Sequence, residues 1–196
     1  MSTTYPIKDK STLEQFKTYY LEKNSVRNYA LIILGLNTAL RIGDILALQW
    51  KDVYNFEKDI YRRHISIHEQ KTGKENSIAI NGAVSDSLDL LLAKRKSSGR
   101  IPEQEDYIFI SNKGKKQPIT RYQAYRIIRE AAFAAGVEEH ISCHSLRKTF
   151  GYYAWRQGVP PAMLMNIYNH SSYQITKRYL CIEQEDRDDV FMKINI

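Results

Sequence analysis

Cysteine is scarce in this chain, with Cys143 and Cys181 the only two in 196 residues and no C-x-x-C spacing between them. Their scarcity excludes a disulfide framework and a zinc site of the usual pattern, and it suits a reducing cytoplasm. Long apolar runs are lacking too. The longest, residues 30–40, is broken by Asn37 and Thr38 and falls short of the ~20 residues that span a bilayer. The first ten residues have no apolar core of a signal peptide, so a soluble cytoplasmic chain with no membrane partner is expected. Glycine and proline number nine and five, and no Gly-, Pro- or Ser-rich tract marks a linker. One domain spanning 1–196 is therefore expected, with residues 1–10 a flexible lead-in.

Acidic residues are the minority charge. Lys and Arg total 29 against 22 Asp and Glu, a formal charge of +7, which favours a polyanionic partner over an acidic-surface one. Basic clusters stand at 61–64, at 94–96 with Arg100, and at 113–116, each near a predicted turn or element end, where a solvated face is the ordinary alternative.

Periodicity gives a coarse architecture. Ser11 and Glu14 have capping-box spacing before a helix to about Lys23, and Asn24 or Ser25 opens an apolar second helix to Leu36. A short third helix is read over 41–48. The run from Ile60 to Ile67 and the run 77–80 form a hairpin around Lys71-Thr72-Gly73-Lys74, with Trp50 to Val53 as a third strand. Helices are predicted from Ala83 to Gly99, from a Thr120 cap to Ala135, and from Ser145 to Arg156. Tyr107 to Ile110 reads as a short extended piece. Another helix opens at Pro160 or Pro161, one capped by Ser171 or Ser172 carries Tyr179, and residues 183–196 read as a polar tail. The fold class is mainly α with one small antiparallel β-sheet, α+β.

His144 and Arg147 lie three apart on one helical face and can share a ligand; the guanidinium fork fits two phosphate oxygens, and imidazole exchanges protons near neutrality. Arg41 interrupts a core-like run, and Asp44, three residues on, is the expected acceptor that orients it. Lys71 at a hairpin tip can reach across a groove. Each alone has an ordinary reading as a surface ion pair or a solvated side chain, and with 14 tyrosines in the chain Tyr179 near His170 decides nothing.

Taken together, the segment Thr38-Ala39-Leu40-Arg41-Ile42-Gly43-Asp44-Ile45-Leu46-Ala47-Leu48, Lys71 in its turn, His144-x-x-Arg147, and Asn169-His170 with Tyr179 resemble the tyrosine recombinases, the phage integrase family. The resemblance runs from the second helix to Tyr179. Two departures stand out. Lys148 occupies a position where members often have histidine, and the additional N-terminal, DNA-gripping domain of most members has no room here; recombinases that invert fimbrial promoter segments are similarly short.

The resemblance implies a site-specific recombinase of integration, excision or inversion, with Tyr179 as nucleophile, Arg41 and Arg147 clamping the phosphate, His170 adding a donor, His144 as base and Lys71 as general acid. It also implies double-stranded DNA as partner, a homo-tetramer on DNA from a monomer in free solution, and nucleoid association in the cytoplasm. Residues 184–196 would be the segment exchanged between neighbours. Arg62, Arg63, Lys74, Lys115, Lys116 and Arg121 are expected to contact DNA. No cofactor and no metal are expected, because no carboxylate cluster of the Mg²⁺-nuclease kind is visible. A DNA-binding regulator that has lost catalysis and a topoisomerase-like relaxing enzyme are the alternatives.

Overall fold

The computed structural model describes residues 4–112 and 116–194. Its central element is helix α2 (Val26–Asn37), whose residues 30–36 are apolar on every side and all buried, as a helix without a polar face must be. Helices α1 (Lys10–Glu22), α5 (Gly82–Ser97) and α7 (Cys143–Arg156) pack around it. Gly35 lets α2 approach α7 closely, because a Cβ there would collide with Leu146. Helix α6 (Arg121–Ala134) closes the bundle against α1 and α7, with Thr120 as its cap as expected and Gln123 completing a reciprocal capping box.

After α3 (Ile42–Ala47) the chain makes two small antiparallel pairs rather than the single three-stranded sheet expected. Residues Trp50–Val53 are helix α4, not a strand, because Gln49 and Asp52 form a reciprocal cap around Trp50, which is fully buried. Strand β1 (Tyr54–Asn55) then turns tightly into β2 (Ile60–Tyr61), with the Asn55 side chain accepting the amides of Glu57 and Lys58. The hairpin of β3 (His64–His68) and β4 (Glu75–Ala79) is separate and registers Ser66 opposite Ser77. Gly73 supplies its left-handed residue at φ +65°. Residues 107–110 form isolated bridges only, Gln49 to Tyr107 and Ile110 to Pro118.

Three helix ends differ from expectation for local reasons. Helix α1 is capped by Asp9, whose carboxylate accepts the Thr12 amide at 2.7 Å, and Ser11 lies inside the helix. Ser142 caps α7, so the helix begins at Cys143 and His144 sits in its first turn. The expected polar tail is largely helix α10 (Gln184–Lys193). Within the lead-in, Ile7 is buried and its amide donates to Thr149 Oγ1 at 2.9 Å, and Tyr153 donates to the Lys8 carbonyl at 2.8 Å.

A second, smaller apolar cluster of Ala39, Leu164, Tyr168 and Leu180 seats α8 (Pro161–Ile167) and α9 (Tyr173–Leu180) on α7. Gly151 permits this seating, since a Cβ would strike the Tyr168 hydroxyl. That cluster is the floor of the candidate site. Helix α10 lies against its own chain through Tyr152 to Asp186 at 2.8 Å, Lys8 to Glu183 at 2.7 Å and Arg156 to Asp189 at 2.7 Å. Its Val190, Phe191 and Met192, with Ile194 just beyond, remain exposed.

Candidate active site

Arg147 is 2% exposed and extends from α7 beneath α9. Its Nη2 donates to the Tyr168 carbonyl at 2.8 Å, its Nη1 donates to the Ala39 carbonyl, and the guanidinium lies 4.7 Å over the Tyr168 ring. Ala39 adopts a left-handed φ of +54°, and Asn169, next to Tyr168, one of +52°. Both carbonyls that grip Arg147 thus belong to tight corners rather than to regular elements. Five N–H donors minus two leaves three for a ligand.

The Tyr179 hydroxyl lies 3.1 Å from His144 Nδ1, so α9 brings the phenol directly onto the first turn of α7. His170 packs edge-on to Tyr179 with ring centroids 5.0 Å apart, stacks on Tyr168 at 5.0 Å, and engages Thr176 Oγ1 through Nδ1 at 3.0 Å. With Nδ1 occupied, Nε2 is the nitrogen left for a ligand.

Arg41 enters from the other side, at the N-cap of α3. Its partner is not Asp44. Arg41 Nη1 pairs with Glu69, whose side chain is fully buried, whereas Asp44 Oδ1 accepts the Gln70 amide at 2.9 Å. Asp44 therefore holds the end of the β3–β4 hairpin, and the i,i+3 pairing expected from spacing is replaced by a tertiary one. Lys71 follows in the exposed turn, near enough for its charge to act on His144.

The electrostatics follow from burial beside several cations. Burial pushes the Tyr179 phenol upward, against the pull of Arg147 and Arg41. Burial first, then the charges of Arg147, Lys148, Lys71 and Arg41, lower His144. Burial, Arg147 and Arg41 hold His170 at about 4. Both imidazoles are thus neutral at pH 7, and His144 is in the form that accepts a proton.

The same shift has a stability consequence with a definite sign. His170 binds its proton in the unfolded chain near 6.5 and in the folded chain only near 4, so the stability this group contributes is complete above pH 6.5 and is lost as pH falls toward 4. Urea midpoints at pH 7 and pH 5 are expected to differ more for the wild type than for His170→Asn. Equal differences would remove His170 from this account.

The family profile of the phage integrases matches residues 9–185. The chain belongs to the phage integrase family. It is 43% identical over 185 residues, 94% of this chain and 93% of the relative, to the probable integrase/recombinase YoeC of Bacillus subtilis. It is 28% identical to the type 1 fimbriae regulatory protein FimE of Escherichia coli K12, covering 78% of this chain and 73% of that one. Among solved folds, the XerA recombinase superposes with TM-score 0.77 at 20% identity over 99% of this chain and 68% of that one. XerH, solved on a palindromic difH substrate in a post-cleavage complex, gives 0.76 at 19%, over 98% of this chain and 54% of that chain.

Within this phage integrase fold, the residues expected to touch DNA divide. The Arg121 guanidinium lies against Gly43 and beside Gln70, at the edge of the Arg41 segment. Arg62 and Arg63 are exposed and line an open surface cavity of about 510 Å³ with Lys51 and His64, with Arg62 Nε donating to the Lys51 carbonyl. Lys74 is exposed at the end of the Lys71 turn. Lys116 pairs with Asp106 at 3.3 Å and Glu103 at 3.5 Å, so its charge is offset locally. Lys115 lies outside the described residues.

Two residues at the site escaped the sequence reading. Glu69 was visible in principle, because Ile65, Ile67 and Glu69 share the inward register of one strand run, and a carboxylate in that register needs a partner. Lys148, noted in the sequence only as a departure from the family pattern, is 8% exposed; its Nζ donates to the Thr4 carbonyl at 2.6 Å and lies 5.5 Å over the Tyr179 ring. Nothing local announces these contacts.

Proposed function

We propose that the protein is a site-specific DNA recombinase that cleaves and rejoins DNA through a 3'-phosphotyrosyl intermediate on Tyr179. The observation that carries this reading is the 3.1 Å contact of the Tyr179 hydroxyl with His144 beside the buried Arg147 and the paired Arg41. The Tyr179 oxygen forms a bond to phosphorus as the bond to the 5' oxygen breaks, His144 accepts the phenolic proton, and Lys71 donates one to the leaving 5' oxygen, which departs as a hydroxyl. Arg41 and Arg147 face the charge that develops on the non-bridging oxygens, with His170 Nε2 as a further donor. Attack by another strand's 5' hydroxyl reverses these bonds with new connectivity, and the phosphoester energy is conserved throughout.

Duplex DNA is the substrate, bound by the Arg121 edge of the site and the exposed cations of the hairpin. Four subunits assemble on two duplexes, and α10, whose exposed Val190, Phe191 and Met192 suit a neighbour's groove, is the segment passed between them. In the cell the enzyme works on the nucleoid.

The test begins with sheared genomic DNA from the cell that carries the gene. Adducts that survive denaturation are captured and sequenced, and two copies of the recovered site are placed on a supercoiled plasmid. Rearranged connectivity is the expected result. Relaxation without rearrangement would make the protein a topoisomerase-like enzyme, and tight DNA binding with no adduct would make it a regulator.

A further inference from the structure

We propose that Glu69 is a positioning residue for strand cleavage, a buried carboxylate that ties together the three chain segments bearing Arg41, Lys71 and His170; the proposal rests on the recombinase reading above. Its side chain is fully buried, and both oxygens are engaged. Oε2 accepts from Arg41 Nη1 and from Thr72 Oγ1 at 2.7 Å, Oε1 accepts from Asn76 Nδ2 at 3.2 Å, and the Asn169 side chain adds a further hydrogen bond. An ionised carboxylate offers about four acceptor positions, so these four donors fill it.

What distinguishes this carboxylate from an ordinary buried ion pair is the location of its donors. Arg41 is itself one of the proposed phosphate clamps. Thr72 adjoins Lys71, and Asn169 adjoins His170 at the left-handed corner whose preceding carbonyl holds Arg147. Asn76, on β4, fixes the hairpin to the same point. A reciprocal tie runs alongside, since Asp44, three residues after Arg41, accepts the amide of Gln70, the neighbour of Glu69. Thus the α3 entry and the hairpin end are cross-linked twice, once by the side chain of each segment.

The charge has a second use. Arg41 and Arg147 repel one another, and Glu69 attracts Arg147 as well as its direct partner and favours the protonated form of His170. The hydrogen bonds from Thr72, Arg41 and Asn169 overcome the burial of the carboxyl and hold it at about 2, so it stays ionised at every working pH. A fixed negative charge behind Arg41 keeps the clamp assembled before a phosphate arrives and leaves its remaining donors free to face one.

Glu69→Gln tests this, because the amide keeps the volume but can accept at only one of its two ends. The probe is a nicked duplex carrying the site recovered by adduct capture, read as single-turnover adduct formation at saturating DNA. Misplaced clamps should slow the reaction by about 100-fold, with half-saturating DNA within about 3-fold of wild type. Glu69→Asp, which restores the charge, should recover part of that rate. By NMR, His170 in Glu69→Gln should titrate lower than in the wild type, with or without DNA.

An adduct rate within 3-fold of wild type would overturn the proposal, as would a slower rate matched by an equal loss of DNA binding and of folded protein in the thermal transition. Failure of the wild type to form any adduct overturns the recombinase reading instead. The His170 titration then decides whether Glu69 holds that corner at all, and an unchanged titration refutes it.

Discussion

Tyr179→Phe should abolish covalent capture of DNA, a loss on the order of 10⁶-fold if removal of a nucleophile acts here as it does in other enzymes that use one. Folding and DNA affinity should barely change. Among the described residues the hydroxyl has one hydrogen-bond partner, His144 Nδ1, on a histidine whose side chain reaches solvent and can exchange that contact for water. The phenyl ring keeps its packing against Tyr168 at 5.3 Å, against His170 and under Lys148. Loss of one such hydrogen bond costs about 1 kcal/mol, a small part of the stability of a domain this size. The measurement is adduct yield on the captured site together with the urea midpoint. If adduct persists in Tyr179→Phe, the nucleophile is another of the 14 tyrosines, and peptide mapping of the adduct would say which. Tyr173, exposed on the same helix, would be the first to examine.

The sequence carried the local features well because their causes are local. The Thr120 cap, the helix ends near Ala135 and Arg156, and the proline pair at the start of α8 all rest on residues within about one turn of the feature they fix. Of the six residues expected to do chemistry, α7 carries His144 and Arg147 and α9 carries Tyr179, while Arg41, Lys71 and His170 reach the same region from the entry to α3, the β3–β4 turn and the corner before α9. What stayed hidden depends on partners far along the chain. The i,i+3 spacing of Arg41 and Asp44 points to a local pair, yet the partner of Arg41 is 28 residues away, just past a strand whose inward register is set only once Ile65 is buried. The split of the sheet was hidden for a related reason. Trp50 and Val53 are strand-forming types, and the reciprocal cap from Gln49 and Asp52 outweighs them in so short a segment. Lys148 and Thr4 meet across 144 residues, and no periodicity announces such a contact.

Arg147 is where chemistry and folding are hardest to separate, and substitution there should show both. Were the guanidinium only a transition-state clamp, Arg147→Ala would leave a stable, DNA-binding protein. Its burial argues otherwise. Truncation leaves the Ala39 and Tyr168 carbonyls without their donor and opens a void under Tyr168, which should cost about 2 to 4 kcal/mol even after relief of repulsion with Arg41. Arg147→Lys separates the two roles. An ammonium fills most of the space and keeps the charge, but it lacks the planar fork that spans two carbonyls while presenting further donors to a phosphate. Cleavage by Arg147→Lys should fall by roughly 10³- to 10⁵-fold, the range over which loss of a transition-state arginine acts in phosphoryl transfer, while its urea midpoint stays closer to wild type than that of Arg147→Ala. DNA affinity in Arg147→Lys should change only a few-fold, because the guanidinium is buried and acts once the phosphate is seated. Equal losses of affinity and of cleavage rate would place Arg147 in ground-state binding, and would move the burden of stabilising the developing charge to Arg41, the one clamp whose guanidinium is held from behind by a carboxylate.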